Sequence, residues 1–235
     1  MITPDWPAPA HVQARFTTRD DDLNVGLSGE GSVHQALDNR QRLQAMLRVQ
    51  PCWLDQVHGA DVVDATLRHD QPPKADASVA DAQGVACVVM VADCLPVLLT
   101  SVCGRVVGAA HGGWRGLAAG VLQNTVQAMR ARLPKAELMA WLGPAIGPAV
   151  FEVGPEVRQA MCEHLPMAGN AFASHGAEGK YLANLFELGR QALAQVGVDR
   201  VYGGSECTYT QGAQYYSFRR ERVTGRHAAL IWIQP

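Results

Sequence analysis

No apolar stretch in this 235-residue chain approaches the ~20 residues that span a bilayer. Neither sign of charge prevails: 20 Lys+Arg against 22 Asp+Glu leave a net charge of −2. That excludes a general field for drawing in nucleic acid or an anionic membrane. The opening MITPDWPAPA lacks the basic and apolar regions of a secretory signal, so the expected location is the cytoplasm. There is no CxxC pair. The six cysteines (Cys52, Cys87, Cys94, Cys103, Cys162 and Cys207) are dispersed, in a chain too large to need disulfide staples. They read as reduced thiols, most of them small buried hydrophobes. Repeats, low-complexity tracts and linkers are missing as well, so a single domain over residues 1–235 is the economical reading. With 48% hydrophobic and 18% charged residues, disorder is excluded.

What is present is a mixture of short strand-like runs and helical patterns. Residues 12–17 read as a first strand and Asp20–Asp22 as a solvated turn. Residues 32–47 read as a helix with Ser32 as N-cap and Val33, Leu37, Leu43 and Leu47 on its apolar face. Strands are expected at 53–57, 62–65, 85–92, 97–102 and 105–111. VACVVMVA at 85–92 is apolar enough to be covered on both faces. A helix follows over 116–133, then a strand at 138–142 and a rigid GPAIGP loop. Helices at 155–165 and 183–196, the second closed by Gly197, precede strands at 198–202, 215–218 and 228–233. Strands adjoin without strict βα alternation, which indicates an α/β fold with mixed sheets and helices packed outside them.

Three segments carry an unusual residue to a turn: His58 before Gly59, Cys94 before Pro96, and His111 before Gly112 and Gly113. Imidazole and thiolate suit zinc, and three protein ligands leave a fourth position open for water or substrate. The gaps, 94 − 58 = 36 and 111 − 94 = 17, are too wide for a finger and suit a catalytic site assembled from strand ends. The same residues also read as a Cys94 nucleophile with His58 or His111 as its base. Asp93 has three readings: orienting a histidine, acting as acid/base, or capping its turn. Arg115 at a helix start and Arg40 within a helix are candidates for holding an anion such as phosphate. Gln56, two residues from His58, falls on the same strand face and is placed to line the same pocket. The other six histidines have no comparable surroundings. Tyr209 and residues 215–220 either wall a nucleobase-sized pocket or pack in the core.

Read in order, the segments FTTR (16–19), LNVG (23–26), DNR (38–40), QVHGADV (56–62), ADCLPVLL (92–99) and AAHGGWRGLAAGV (109–121) resemble the YfiH-like family. LGPAIGP, FEVGPEV, CTYT and YYSFRRERVTGRHAALIWI continue the match to residue 233. The chain departs from the family pattern after FTTR, where DDD runs straight into LNVG. The resemblance implies mixed sheets sandwiched between helices, similar to the CNF-toxin-like cysteine hydrolases, and one metal site at His58, Cys94 and His111. It implies zinc-dependent phosphorolysis of adenosine, inosine and methylthioadenosine, and deamination of adenosine. On that reading the partners are a purine nucleoside and phosphate, Asp93 shuttles a proton, and Arg40 or Arg115 positions the phosphate. Relatives have also been described as peptidoglycan-precursor editors that remove a misplaced serine, and as copper-dependent polyphenol oxidases. Two imidazoles and one thiolate, with six of eight histidines elsewhere, fall short of what several copper centres need.

Overall fold

The apolar run VACVVMV forms a strand covered on both faces, and the chain is built outward from it. The computed structural model describes residues 1–176 and 179–235. In chain order the strands are β1 (Val12–Phe16), β2 (Gln50–Cys52), β3 (Val62–Asp64), β4 (Ala77–Ala80), β5 (Val85–Val91), β6 (Leu95–Ser101), β7 (Val107–Gly112), β8 (Leu138–Leu142), β9 (Glu152–Val153), β10 (Phe172–Ser174), β11 (Tyr181–Ala183), β12 (Arg200–Gly203) and β13 (His227–Ile233). The helices are α1 (Val33–Leu47), α2 (Trp114–Ala118), α3 (Val121–Arg132), α4 (Pro155–His164), α5 (Leu185–Gln195) and α6 (Phe218–Glu221).

A six-stranded mixed sheet, in the order β12-β8-β6-β7-β4-β3, lies against a four-stranded one, β1-β13-β5-β2. Between them is an apolar layer that includes Phe16, Cys87, Val89, Leu98, Val107, Ala109 and Ile231. Helix α1 covers the outer face of the smaller sheet through Leu43 and Leu47, against Val88, Leu230 and Trp232. Helices α2 to α5 cover the outer face of the larger sheet, with Leu122, Val126, Met129, Met161, Leu188 and Leu193 buried there. The result is a helix–sheet–sheet–helix stack, the mixed-sheet sandwich expected from the sequence. Strands β10-β11-β9 form a small third sheet at the side.

Several local expectations change. Ser32 does cap α1, accepting from the Gln35 amide at 3.1 Å. Its buried positions, however, are Ala36, Asn39, Arg40 and Leu43, and Val33 and Leu37 face solvent. The helix expected over 116–133 is broken, because Gly120 adopts φ +88° and turns the chain between α2 and α3. Residues 53–57 are not a strand: the pairing segment is β2, three residues earlier, and the chain then turns toward His58. Nor are residues 215–218, where Ser217 instead caps α6 by accepting from the Arg220 amide. Strand β4, ASVA, lacks the alternation or bulk that marks a strand, because all four of its residues are buried.

Candidate metal centre

Two ladders of the larger sheet set the site. In β6–β7, Leu95 pairs with Gly112 and Pro96 with His111, so the next step along each strand puts Cys94 beside Gly113. In β4–β7, Ala77 pairs with Ala110, which puts Asp76 beside His111, and the His111 amide donates to the Asp76 carbonyl at 2.7 Å. Cys94 lies where the chain leaves β5 in one sheet and enters β6 in the other. Asp93, at φ +93°, makes that reversal. His58 reaches in from the loop between β2 and β3 at φ +60°, also in the left-handed region. The ligand atoms of His58, Cys94 and His111 lie within 4.8 Å of one another, and the two imidazoles stand edge to face at 4.8 Å.

Asp76, missed from the sequence, organises this cluster. Its Oδ1 accepts the Nδ1 proton of His111 at 2.7 Å and the His58 amide at 3.0 Å; Oδ2 accepts the Val57 amide at 3.0 Å and the Gly59 amide at 2.7 Å. A carboxylate only accepts, so His111 donates a proton from Nδ1, and Nε2 is the ring nitrogen turned toward the cluster and the one a metal would take. The same carboxylate holds the strained His58 turn. Its one signal in the sequence is a lone acid in the alanine-rich KADASVA, and it lies 35 positions from His111.

Gly113 supplies the room. A Cβ there would stand 2.9 Å from His58 Cδ2, 3.4 Å from Cys94 Sγ and 3.5 Å from His111 Cε1. The electrostatics favour a thiolate. Burial by itself raises the Cys94 thiol, but the charge and hydrogen bonding of His111, and then of His58, bring it down to about 6. Burial works against charge on His111, and Cys94 and Asp76 overcome it, raising that imidazole to about 9. Two imidazoles and an ionised sulfur, with Asp76 behind one imidazole, form a donor set that fits zinc.

The cluster opens onto a cavity of about 550 Å³ lined by His58, Cys94 and His111 and by Arg40, Gln56, Phe218 and Arg226, within the usual range for a small-molecule site. Gln56 lines it as expected, though from a loop, with its amide clamped to the backbone N–H and C=O of Met90 at 2.7 and 2.9 Å. Arg40 is buried and lies over Trp53 at 4.3 Å. Two other candidates are placed differently. Arg115 is exposed, stacked on Trp114 and outside the cavity lining. Asp93 is not in the lining of this cavity and instead lines a separate, mostly apolar pocket of about 140 Å³ that Cys94 also lines. Both of its oxygens are engaged, one by the Thr208 hydroxyl at 2.6 Å and the other by the Arg219 amide at 2.6 Å. That makes Asp93 a tie between the Cys94 turn and α6. From the C-terminal aromatic stretch Phe218 reaches the cavity, whereas Tyr215 is fully buried against Phe16 and His227.

A family model described as "Multi-copper polyphenol oxidoreductase laccase" matches residues 13–234. A Pseudomonas aeruginosa protein named purine nucleoside phosphorylase is 46% identical over 99% of this chain and 98% of its own length. The purine nucleoside phosphorylase YfiH of Escherichia coli is also 46% identical, with the same coverage. The chain belongs to the YfiH family. Among solved YfiH-like structures, that of a Neisseria meningitidis protein matches over 100% of this chain and 99% of its own, with a TM-score of 0.94 and 45% identity. YlmD from Geobacillus stearothermophilus matches with a TM-score of 0.90 and 29% identity, over 97% of this chain and 94% of its own. The copper of the family description and the nucleosides of the relatives' names point to different chemistry. In this YfiH-family chain, His58, Cys94 and His111 are the only metal-competent group of three or more such side chains among the described residues. A multi-copper enzyme needs residues for several centres. No helix among the described residues is long and apolar enough to cross a membrane.

Proposed function

We propose that this chain is a zinc-dependent purine nucleoside enzyme that phosphorolyses adenosine, inosine and methylthioadenosine and deaminates adenosine. The observation that carries the reading is the His58–Cys94–His111 set, packed close to Gly113 on one side and lining the 550 Å³ cavity with all three residues. The names of relatives 46% identical over nearly the whole chain support the substrate class. Zinc bound there would supply a Lewis acid and lower the pKa of water toward ~7. The protein's part is positional. Asp76 fixes the His111 tautomer and the His58 turn, and Cys94 as thiolate reduces the site to a net charge of +1. Phe218 and Met90 give the cavity apolar walls for a purine, and Gln56, clamped to the Met90 backbone, lines the same cavity. In phosphorolysis a phosphate oxygen bonds to C1′ as the bond from C1′ to the purine nitrogen breaks. The purine leaves with the bonding pair and takes up one proton.

The test is metal analysis of the purified protein beside Cys94→Ser, with adenosine and inosine as substrates. About one zinc per chain, lost in the variant together with phosphate-dependent release of base, is the expected result. Nucleoside left untouched by fully loaded protein would overturn the reading. A metal-free protein labelled at Cys94 by a thiol reagent would favour the cysteine nucleophile.

A further inference from the structure

Buried guanidinium groups are ordinarily met by an acid. Arg40, 7% exposed, and half-buried Arg226 both line the cavity at the metal centre, and neither has an ion-pair partner among the described residues. Their protein contacts are neutral and incomplete. Arg40 donates Nε to the Val25 carbonyl at 3.0 Å and Nη2 to Met90 Sδ at 3.0 Å. Arg226 donates only Nη1, to the Thr224 and Gly225 carbonyls at 3.1 and 3.0 Å. Nη1 of Arg40, and Nε and Nη2 of Arg226, have no hydrogen-bond acceptor among the described residues.

One segment holds both side chains in place. Asn24 Oδ1 accepts from the Arg226 amide at 2.8 Å and the Gly26 amide at 3.0 Å, and Val25 supplies the carbonyl for Arg40. Gly26 makes way for Arg226, since a Cβ there would stand 2.7 Å from its Cγ. Arg40 is thus buried and Arg226 half-buried, and each keeps N–H groups without a protein acceptor on the wall of the cavity beside His58, Cys94 and His111. Cys94 and Asp93 supply the negative charge that acts on Arg226 without pairing with it.

We infer that Arg226 and Arg40 form an oxyanion subsite that takes the phosphate co-substrate next to the His58–Cys94–His111 centre. The choice of phosphate rests on the phosphorolysis reading; the anion site itself rests on the two unpaired cations. Guanidinium forks match phosphate oxygens in geometry and charge, and Arg226 takes the role that the sequence offered to Arg115.

Calorimetric titration of the full metal-loaded chain with inorganic phosphate, in the absence of nucleoside, tests this apart from turnover. The expected result is measurable binding that weakens at least tenfold in Arg226→Gln and in Arg40→Gln, and less in Arg226→Lys, which keeps the charge and most of the packing. Arg200→Gln, which removes a surface guanidinium paired to Glu137 at 2.9 Å, leaves binding unchanged. Gly26→Ala, which crowds Arg226 without removing it, weakens binding as well. In turnover, Arg226→Gln raises the KM for phosphate and not that for inosine. Undiminished binding in the arginine variants, binding abolished by chelation alone, or no binding at all would each overturn the inference. A nucleoside monophosphate that binds through Arg226 while inorganic phosphate does not overturns the co-substrate assignment. Arginine-dependent phosphate binding in a protein that cleaves no nucleoside upholds the anion site and sinks the phosphorolysis reading instead.

Discussion

Asp76 Oδ1 stands 2.7 Å from His111 Nδ1, and the same carboxylate takes the amides of Val57, His58 and Gly59. One buried acid therefore orients the ring of one candidate metal ligand, His111, and the backbone of another, His58. Asp76→Asn keeps the shape but loses the charge and the acceptor-only character. Zinc affinity is expected to fall about 10–100-fold, read by competition with a chromophoric chelator. Wild-type affinity in the variant would show that Asp76 is a loop tie and nothing more.

Gly113→Ala places a methyl group 2.9 Å from His58 Cδ2. The backbone there tolerates alanine and the cavity side is open, so folding stability should change by less than about 1 kcal/mol. The imidazole has to swing away. Zinc retention on dialysis should drop sharply while the urea midpoint barely moves; unchanged retention contradicts the cradle.

The metal-free protein offers a pH test. With Cys94 lowered to about 6, its thiolate is half-formed near that pH. Carboxymethylation of the Cys94 peptide, followed by mass spectrometry, should level off above neutrality. An ordinary thiol keeps gaining rate through about pH 8.5. Added zinc should suppress the labelling. A rate still climbing at pH 8.5 would mean that the two imidazoles do not hold the thiolate.

His227 is fully buried against Phe16 and Tyr216, and its Nε2 accepts the Tyr216 amide at 2.7 Å. Burial lowers this imidazole from 6.5 to about 3. Above pH 6.5 folded and unfolded chains are both neutral at this residue, and its contribution is complete. Between 6.5 and about 3 the unfolded chain takes up the proton first. Stability should therefore fall with pH by up to about 1.4 kcal/mol per unit from this group. Urea midpoints from pH 7 to pH 4 should fall less steeply in His227→Asn than in the wild type. Identical slopes would assign the acid sensitivity to other groups.

What was legible in the sequence were features written in consecutive residues. The glycine-flanked His58, Cys94 and His111, the apolar run of β5, the Ser32 cap and the run of family motifs were all visible because each depends on near neighbours. Reading strand 53–57 and strand 215–218 failed for the same reason. Their conformations are set by partners far along the chain: Asp76 for the His58 turn, His227 for the Tyr216 amide.

By itself, then, the sequence determined which three residues can hold a metal, the mixed sandwich around them, and the family. The tertiary structure alone decided what surrounds these three residues. Strand register brings Asp76 to His111 across 35 residues, and the pairing of β1 and β13 with their flanking loops brings Arg226 to Asn24 across 202. Helix packing buries Arg40, while the turn into α2 leaves Arg115 outside. A charged side chain's chemistry depends on what desolvates and partners it, and those groups are fixed by register and packing rather than by sequence neighbours.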